Sequence, residues 1–201
     1  VDHPWTVSRP GLFVQGGEAE LAAQPQNWFK VGESVLAHGR DPYFDGWEDT
    51  AQLNFAVPET REVVGKALCR LAGMLDGVRC ESAMLLCPDV LAQTWGPHLR
   101  APNQPAGAAP PAFWPDAIKA AKGVNPDLVT LAEVYWGRDW DLQQAGFDFT
   151  LDKTLYERLL GESGREVRLH LGAEMGFQSR CARFLENDDE ARAAEALPDA
   201  G

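Results

Sequence analysis

The chain has 201 residues, 45% of them hydrophobic, and a formal net charge of −12, which together are typical of a globular protein and not of a disordered or fibrous one. The acidic balance argues against nucleic acid as a partner, since that role relies on clustered Lys and Arg side chains. No apolar run is long enough to span a bilayer and the N-terminus lacks the order of a secretory signal, so we expect no membrane partner and favour a cytoplasmic location.

Residues 1–57 are rich in Gly, Pro, Asp and Trp and show no sustained periodicity, so we predict long ordered loops with short strands. Such loops are uncommon in compact domains unless they cover or line a site. The first clear helix follows, because Pro58 suits the first turn of a helix. Val64, Leu68, Leu71 and Leu75 then recur at the spacing of one apolar helical stripe.

The rest of the chain alternates short apolar runs with helical segments, which is typical of parallel βαβ units and an α/β fold. The predicted helical segments cover residues 115–123, 139–146, 153–161 and 166–180. The predicted strands, which we expect to be parallel neighbours, cover residues 78–80, 128–132, 147–150 and 183–185. A Pro/Ala-rich stretch over residues 101–115 is predicted to be a loop or an insertion.

The four cysteines show no C-x-x-C pair and no nearby His at zinc-ligand spacing, so we predict buried, reduced thiols and no metal site. They are Cys69, Cys80, Cys87 and Cys181.

Three of the predicted strands end in carboxylates: Glu81, Glu133, and the pair Asp188 and Asp189. Catalytic groups of α/β barrels project from the carboxyl ends of different strands, although a polar residue there is also a frequent turn or cap. A retaining glycosidase needs a carboxylate nucleophile and a carboxylic acid about 5–5.5 Å apart. Neighbouring strand ends can supply that spacing.

At these positions the chain resembles a known family. GVRCESAM, LAEVYW and FLENDDEARA, in this order, are similar to the strand-four, strand-five and strand-seven motifs of glycoside hydrolase family 13, the α-amylase family. The resemblance implies a partial (β/α)₈ (TIM) barrel over residues 1–201. In it, residues 1–57 are the loop-rich segment after strand three, and residues 58–201 are βα units four to seven. It also implies either a fragment or a degenerate gene product, whose unpaired strand edges favour self-association.

The resemblance implies three catalytic positions. Glu81 lies where the family has its Asp nucleophile, Glu133 matches the general acid/base, and Asp189 matches the acid that stabilises the transition state. The longer Glu81 side chain displaces its carboxylate, and an error of about 1 Å can cost on the order of a hundredfold in rate. We therefore expect impaired nucleophilic attack.

Three further residues are predicted to bind substrate or to orient the site. Arg79 matches the Arg that orients the nucleophile, with a structural ion pair as the alternative. Asp188 stands where the family has His, and its charge beside Asp189 is expected to raise the pKa of one of the two carboxyls. Trp136 is a candidate subsite wall, with core packing as the alternative.

The resemblance implies an α-glucan-active retaining hydrolase or transglycosylase, acting on an α-glucan or a maltooligosaccharide. The alternative is a non-catalytic carbohydrate-binding or scaffold relative of the same fold. Many family members bind calcium, so an intact parent protein is a candidate for calcium binding, but no cofactor or metal is predicted for this chain.

Overall fold

The computed structural model describes residues 1–100, 110–161 and 163–197. Its helices are α1 (Trp5–Ser8), α2 (Glu18–Ala23), α3 (Pro58–Ala72), α4 (Pro88–Trp95), α5 (Trp114–Val124), α6 (Asp139–Gln144), α7 (Lys153–Gly161), α8 (Gly164–Leu171), α9 (Met175–Gln178) and α10 (Ala193–Ala196). Its strands are β1 (Gln15–Gly16), β2 (Trp28–Val31), β3 (Ser34–Ala37), β4 (Gly77–Cys80), β5 (Val129–Ala132), β6 (Phe149–Leu151) and β7 (Cys181–Ala182).

The chain divides into two compact units. The first unit contains Val1–Arg70 and Leu85–Ala117, and the second contains Leu71–Met84 and Ile118–Gly201. The single domain predicted over residues 1–201 stays a prediction. Of the predicted Pro/Ala-rich loop, residues 101–109 lie outside the described residues, while Trp114 and Pro115 already belong to α5.

The first unit contains a small antiparallel sheet with the strand order β1-β3-β2. Strands β2 and β3 are joined by a two-residue turn in which Gly32 has a φ of +57°, a conformation that glycine adopts without a steric penalty. Leu12, Phe13 and Leu36 form a buried cluster in this unit. The predicted short strands are therefore present, whereas the helix α2 was not predicted.

The second unit is built on a parallel four-stranded sheet with the order β4-β5-β6-β7. Leu131 of β5 pairs with Arg79 of β4 on one side and with Phe149 of β6 on the other. The first three predicted strands are confirmed as parallel neighbours. Consecutive parallel strands with helices between them are what βαβ alternation produces.

The position of the fourth strand was predicted wrongly. Residues 183–185 were expected to form it, but the strand is Cys181–Ala182. The Arg183 side chain donates a hydrogen bond to Gln178 and lies 3.6 Å from Asp152, so polar contacts direct the chain out of the sheet at this residue.

Asp148, just before β6, ties β6 to β5 at the amino end of β6. Its Oδ2 accepts hydrogen bonds from the Thr130 N–H (2.8 Å) and hydroxyl (2.9 Å), and its Oδ1 lies 2.5 Å from Lys122 Nζ. These three hydrogen bonds, led by that of Lys122, lower the pKa of Asp148 against the opposing effect of burial. They hold the register of the two strands at the end opposite to the predicted site.

A buried polar cluster lies between the helices of the second unit. Asp152 is fully buried, caps α7 by accepting a hydrogen bond from the Leu155 N–H (3.0 Å), and lies 2.8 Å from His170 Nε2. Asp139 is also buried, and its Oδ1 has no hydrogen-bond partner among the described residues. Burial, assisted by the charge of Asp152, raises the pKa of Asp139 to about 6.

We expect Asp139→Asn to stabilise the chain at neutral pH. The pKa of Asp139 in the folded chain, about 6, lies above its unfolded value of about 3.9, so ionisation of this group opposes folding as the pH rises. The gain in free energy of unfolding should be about 2–3 kcal/mol above pH 7, shrink as the pH falls through 6, and vanish below about pH 4. Urea unfolding across this range measures it, with Asp141→Asn as the control. Equal free energies of unfolding at pH 8 would contradict the account.

All four cysteines are free thiols, of which Cys87 is buried and the other three are half-buried. Burial raises the pKa of Cys80 to about 11, which keeps this thiol protonated and unreactive. None of the helices in the described ranges combines the length and the apolar composition that a bilayer-spanning helix needs.

Candidate active site

The predicted site residues lie at the carboxyl ends of three strands of the parallel sheet. Arg79 lies on β4, Glu81 directly follows that strand, and Glu133 directly follows β5. Asp188 and Asp189 lie in the loop that leaves β7. Because parallel strands end at the same edge of a sheet, their connecting loops bring these side chains together.

The guanidinium of Arg79 joins three carboxylates. Its Nη1 donates to Asp188 Oδ1 at 2.9 Å, while its Nη2 lies 3.4 Å from Glu133 Oε1 and 3.5 Å from Asp189 Oδ2. The hydrogen bond to Asp188, and then the charges of Asp188, Glu133 and Glu81, raise the pKa of Arg79. Glu133 and Asp189 therefore lie together at one end of the sheet, and the catalytic roles assigned to them stay predictions.

Glu133 is the buried carboxylate of this group, with a side chain only 8% exposed. Its Oε2 accepts a hydrogen bond from the Ser82 N–H at 2.7 Å, and its Oε1 accepts one from the Tyr135 hydroxyl at 3.1 Å. The Glu133 N–H in turn donates to Cys80 O at 2.9 Å. These contacts fix the carboxylate in one position, which is what a general acid/base requires.

Glu81 is exposed and stands apart from these hydrogen bonds. Within the described residues, Arg79 donates no hydrogen bond to Glu81, although the Glu81 charge is close enough to raise the pKa of Arg79. The guanidinium that the resemblance expects to orient the nucleophile instead binds Asp188. The two positions at which the chain departs from the pattern of the resembled family are therefore linked through Arg79. In the part of the chain that the structure describes, its guanidinium binds the acid at position 188 and donates no hydrogen bond to the acid at position 81.

The rise in pKa expected for one of the two neighbouring carboxyls does not occur at Asp188. The pKa of Asp188 is lowered, first by the hydrogen bond from Arg79 and then by hydrogen bonding to its own backbone. Desolvation opposes this decrease, and the positive charge of Arg79 adds to it.

The backbone is strained in both loops that frame Glu133. Ser82 has a φ of +44° and Trp136 a φ of +61°, a region that residues with a Cβ rarely adopt. Each such residue costs of order 1–3 kcal/mol and persists only where the surroundings enforce it, as at functional sites. At Ser82 the strained turn directs the N–H toward Glu133. Trp136 is 42% exposed, and its role as a subsite wall stays a prediction.

Tyr135 and Ser82 are site residues that the sequence analysis missed. Both donate hydrogen bonds to Glu133, and burial, with the Glu133 charge, raises the pKa of Tyr135 to about 12, so the phenol stays protonated. The available signal was the spacing of Tyr135, two residues after Glu133, which places both on one side of an extended chain. The Ser82 contact uses a backbone N–H, which no sequence pattern reports.

Within residues 1–100, 110–161 and 163–197, no group of three or more His, Cys, Asp or Glu side chains is arranged to hold a metal ion. The three carboxylates around Arg79 contact its guanidinium instead, and this single positive charge offsets only part of their negative charge.

The chain was compared with protein families, with curated proteins and with solved structures, and only the solved structures gave matches. The chain matches no protein-family model and no curated protein. It is similar to the native form of a debranching enzyme from Nostoc punctiforme, with 16% identity and a TM-score of 0.51 over 89% of this chain and 40% of that one. A form of that enzyme soaked with acarbose gives 17% identity and a TM-score of 0.51, over 90% and 43% of the two chains.

An α-amylase from Lactobacillus plantarum is 20% identical, with a TM-score of 0.50 over 89% of this chain and 41% of that one. The chain thus spans about two fifths of the length of these enzymes. At such identities the likeness shows the fold alone. The chain has a mixed α/β fold, with a parallel four-stranded sheet, of the kind found in α-amylase-family enzymes.

Proposed function

We propose that the chain acts on α-glucans as a retaining glycoside hydrolase or transglycosylase of the α-amylase type, with impaired catalysis. Glu133 is the general acid/base, Glu81 the nucleophile and Asp189 the stabiliser of the transition state. The convergence of Glu133 and Asp189 on the Arg79 guanidinium, at the carboxyl ends of parallel strands, carries this proposal.

In the proposed reaction, Glu133 gives its proton to the glycosidic oxygen as the bond from that oxygen to the anomeric carbon breaks. The Glu81 carboxylate forms a bond to the same carbon and yields a glycosyl-enzyme. Glu133 then takes a proton from water or from a sugar hydroxyl, whose oxygen displaces Glu81. Hydrolysis and transfer differ only in which of these two acceptors attacks.

The substrate class is supported by the similar structures. One is an α-amylase, and another is a debranching enzyme that was soaked with acarbose. The site is also acidic, because the three carboxylates of Glu133, Asp188 and Asp189 share the guanidinium of Arg79. An acidic site suits a neutral sugar better than an anionic ligand.

A non-catalytic carbohydrate-binding or scaffold role is the second candidate. Two observations favour it: the Glu81 carboxylate is exposed, and the hydrogen bond of Arg79 Nη1 goes to Asp188. If Arg79 binds Asp188 and does not orient Glu81, the site can keep its structure and its ligand binding while it loses catalytic turnover.

Incubation of the full-length protein with maltoheptaose tests the proposal. We expect shorter products from hydrolysis, or shorter and longer ones from transfer, each with the α configuration at the new anomeric centre by NMR. Calorimetric binding without any product would favour the non-catalytic role. Products of inverted configuration would contradict the retaining assignment.

A further inference from the structure

Three exposed aromatic side chains lie close together in the sequence of the first unit. Tyr43 is 64% exposed, Phe44 70% and Trp47 41%. Single exposed apolar residues are normal, but a group of three large rings is not, because each leaves apolar area in water at about 25 cal/mol per Å². We call these three residues the aromatic surface.

The loop that carries the aromatic surface is held by hydrogen bonds. Asp41 Oδ1 accepts hydrogen bonds from the N–H groups of Tyr43 (2.7 Å) and Phe44 (2.8 Å). The Trp47 N–H donates to Gly39 O at 2.8 Å. The backbone under the rings is therefore positioned before any ligand arrives, which lowers the entropy cost of binding.

Gly46 allows this loop to pack closely on the unit beneath it. A Cβ at Gly46 would lie 2.6 Å from His38 Cβ and 2.9 Å from Gln26 O, so no larger residue fits. The Gly46 N–H donates to Asn27 Oδ1 at 2.8 Å. The loop is thus built into the unit while its rings face outward.

The charge around the rings is negative. Residues 41–49 contain four carboxylates and no Lys or Arg. The neighbouring Arg40 is turned away, since its guanidinium lies 4.8 Å from the Trp95 ring and donates to Thr94 O at 3.2 Å. This surface disfavours anionic ligands such as nucleic acid and fits a neutral ligand that has apolar faces and hydroxyl donors.

We propose that Tyr43, Phe44 and Trp47 form a binding surface for an α-glucan chain, whose sugar rings stack on the aromatic faces and whose hydroxyls donate to the adjacent carboxylates. Among neutral polyhydroxylated ligands, the choice of α-glucan rests on the proposed function. Asp45, which accepts a hydrogen bond from Gln26 Nε2 at 3.4 Å, is positioned as one of those acceptors.

Affinity electrophoresis of the full-length protein in native gels that contain soluble amylopectin tests the proposal. All variants carry Glu133→Gln, so that the polysaccharide is not consumed. We expect Tyr43→Ala to weaken binding about tenfold and Tyr43→Phe, which keeps the ring, to stay within about twofold. Phe44→Leu keeps apolar area but loses the flat face, so it should also weaken binding. Val7→Ala, at a residue that is 73% exposed, is the control.

Three outcomes would overturn the proposal: no retardation by amylopectin of the chain that carries Glu133→Gln alone, full affinity in Tyr43→Ala, or full affinity in Phe44→Leu. An altered oligomeric state of Tyr43→Ala on size exclusion, with unchanged retardation, would assign the surface to a protein contact instead. Failure of the proposed catalysis is distinguishable, because the natural chain, with Glu133 intact, would then show no turnover of maltoheptaose while retardation of the Glu133→Gln variants still depended on Tyr43 and Phe44.

Discussion

Glu133→Gln is expected to abolish turnover of maltooligosaccharides. Gln has nearly the same shape and can still accept the hydrogen bond of the Ser82 N–H, but it has no proton to give to the leaving oxygen. Loss of general acid/base catalysis costs about 10²–10⁴-fold in rate. The measurement is kcat on maltoheptaose, with the exposed Glu157→Gln of α7 as a matched control.

A substrate with an activated leaving group separates a catalytic from a structural effect of Glu133→Gln. Such a leaving group departs without protonation, so formation of the glycosyl-enzyme should be affected far less than turnover of maltoheptaose. Equal losses on both substrates, with an altered thermal melt, would indicate a folding defect. Undiminished turnover of both would remove Glu133 from the mechanism.

The second large effect is expected from the double variant Glu81→Asp with Asp188→His. The shorter acid at position 81 moves the carboxylate back by about one bond length. The second change removes the carboxylate that binds Arg79 Nη1 at 2.9 Å, which frees this nitrogen for position 81. Because misplacement by about 1 Å costs on the order of a hundredfold, we expect a gain of about this size in turnover of an activated α-glucoside.

The two single variants test the coupling between positions 81 and 188. Since both act through Arg79, the effect of the double variant should exceed the product of the single effects in a double-mutant cycle. Asp188→His should fold normally, because the Asp188 side chain is 63% exposed and exposed ion pairs contribute about 0–1 kcal/mol. If the natural chain were more active than Glu81→Asp, the site would be adapted to the longer acid.

Three of the four parallel strands were predictable, because each is a short run of mostly apolar residues that ends near a polar residue, whereas the fourth strand was misplaced. Glu133 and Asp189 could be placed together for the same reason, since parallel strands end at one edge. The binding of Arg79 to Asp188 was not predictable, because it depends on where a loop of the chain returns after β7. The hydrogen bond from the Ser82 N–H to Glu133 was also not predictable, because it depends on a strained backbone conformation.

Helix boundaries were less predictable than strand order. The helix expected over residues 166–180 is two helices, because the chain leaves the helical path at Gly172, a residue with low helix propensity. The apolar stripe expected in α3 is also incomplete. The helix ends before Leu75, and both Leu71 and Leu75 are more than two-fifths exposed, so that of the three leucines only Leu68 is buried.

The hydrogen bonds that join Asp148 to Thr130 and Lys122 affect which parts of this protein can change during evolution. It secures β5 and β6 at one end of the sheet, whereas the carboxylates and the strained turns occupy loops at the other end. Sequence drift in those loops, such as a change of acid length at position 81, therefore leaves the strand register untouched. Under the proposed function, such drift alters turnover while the scaffold persists.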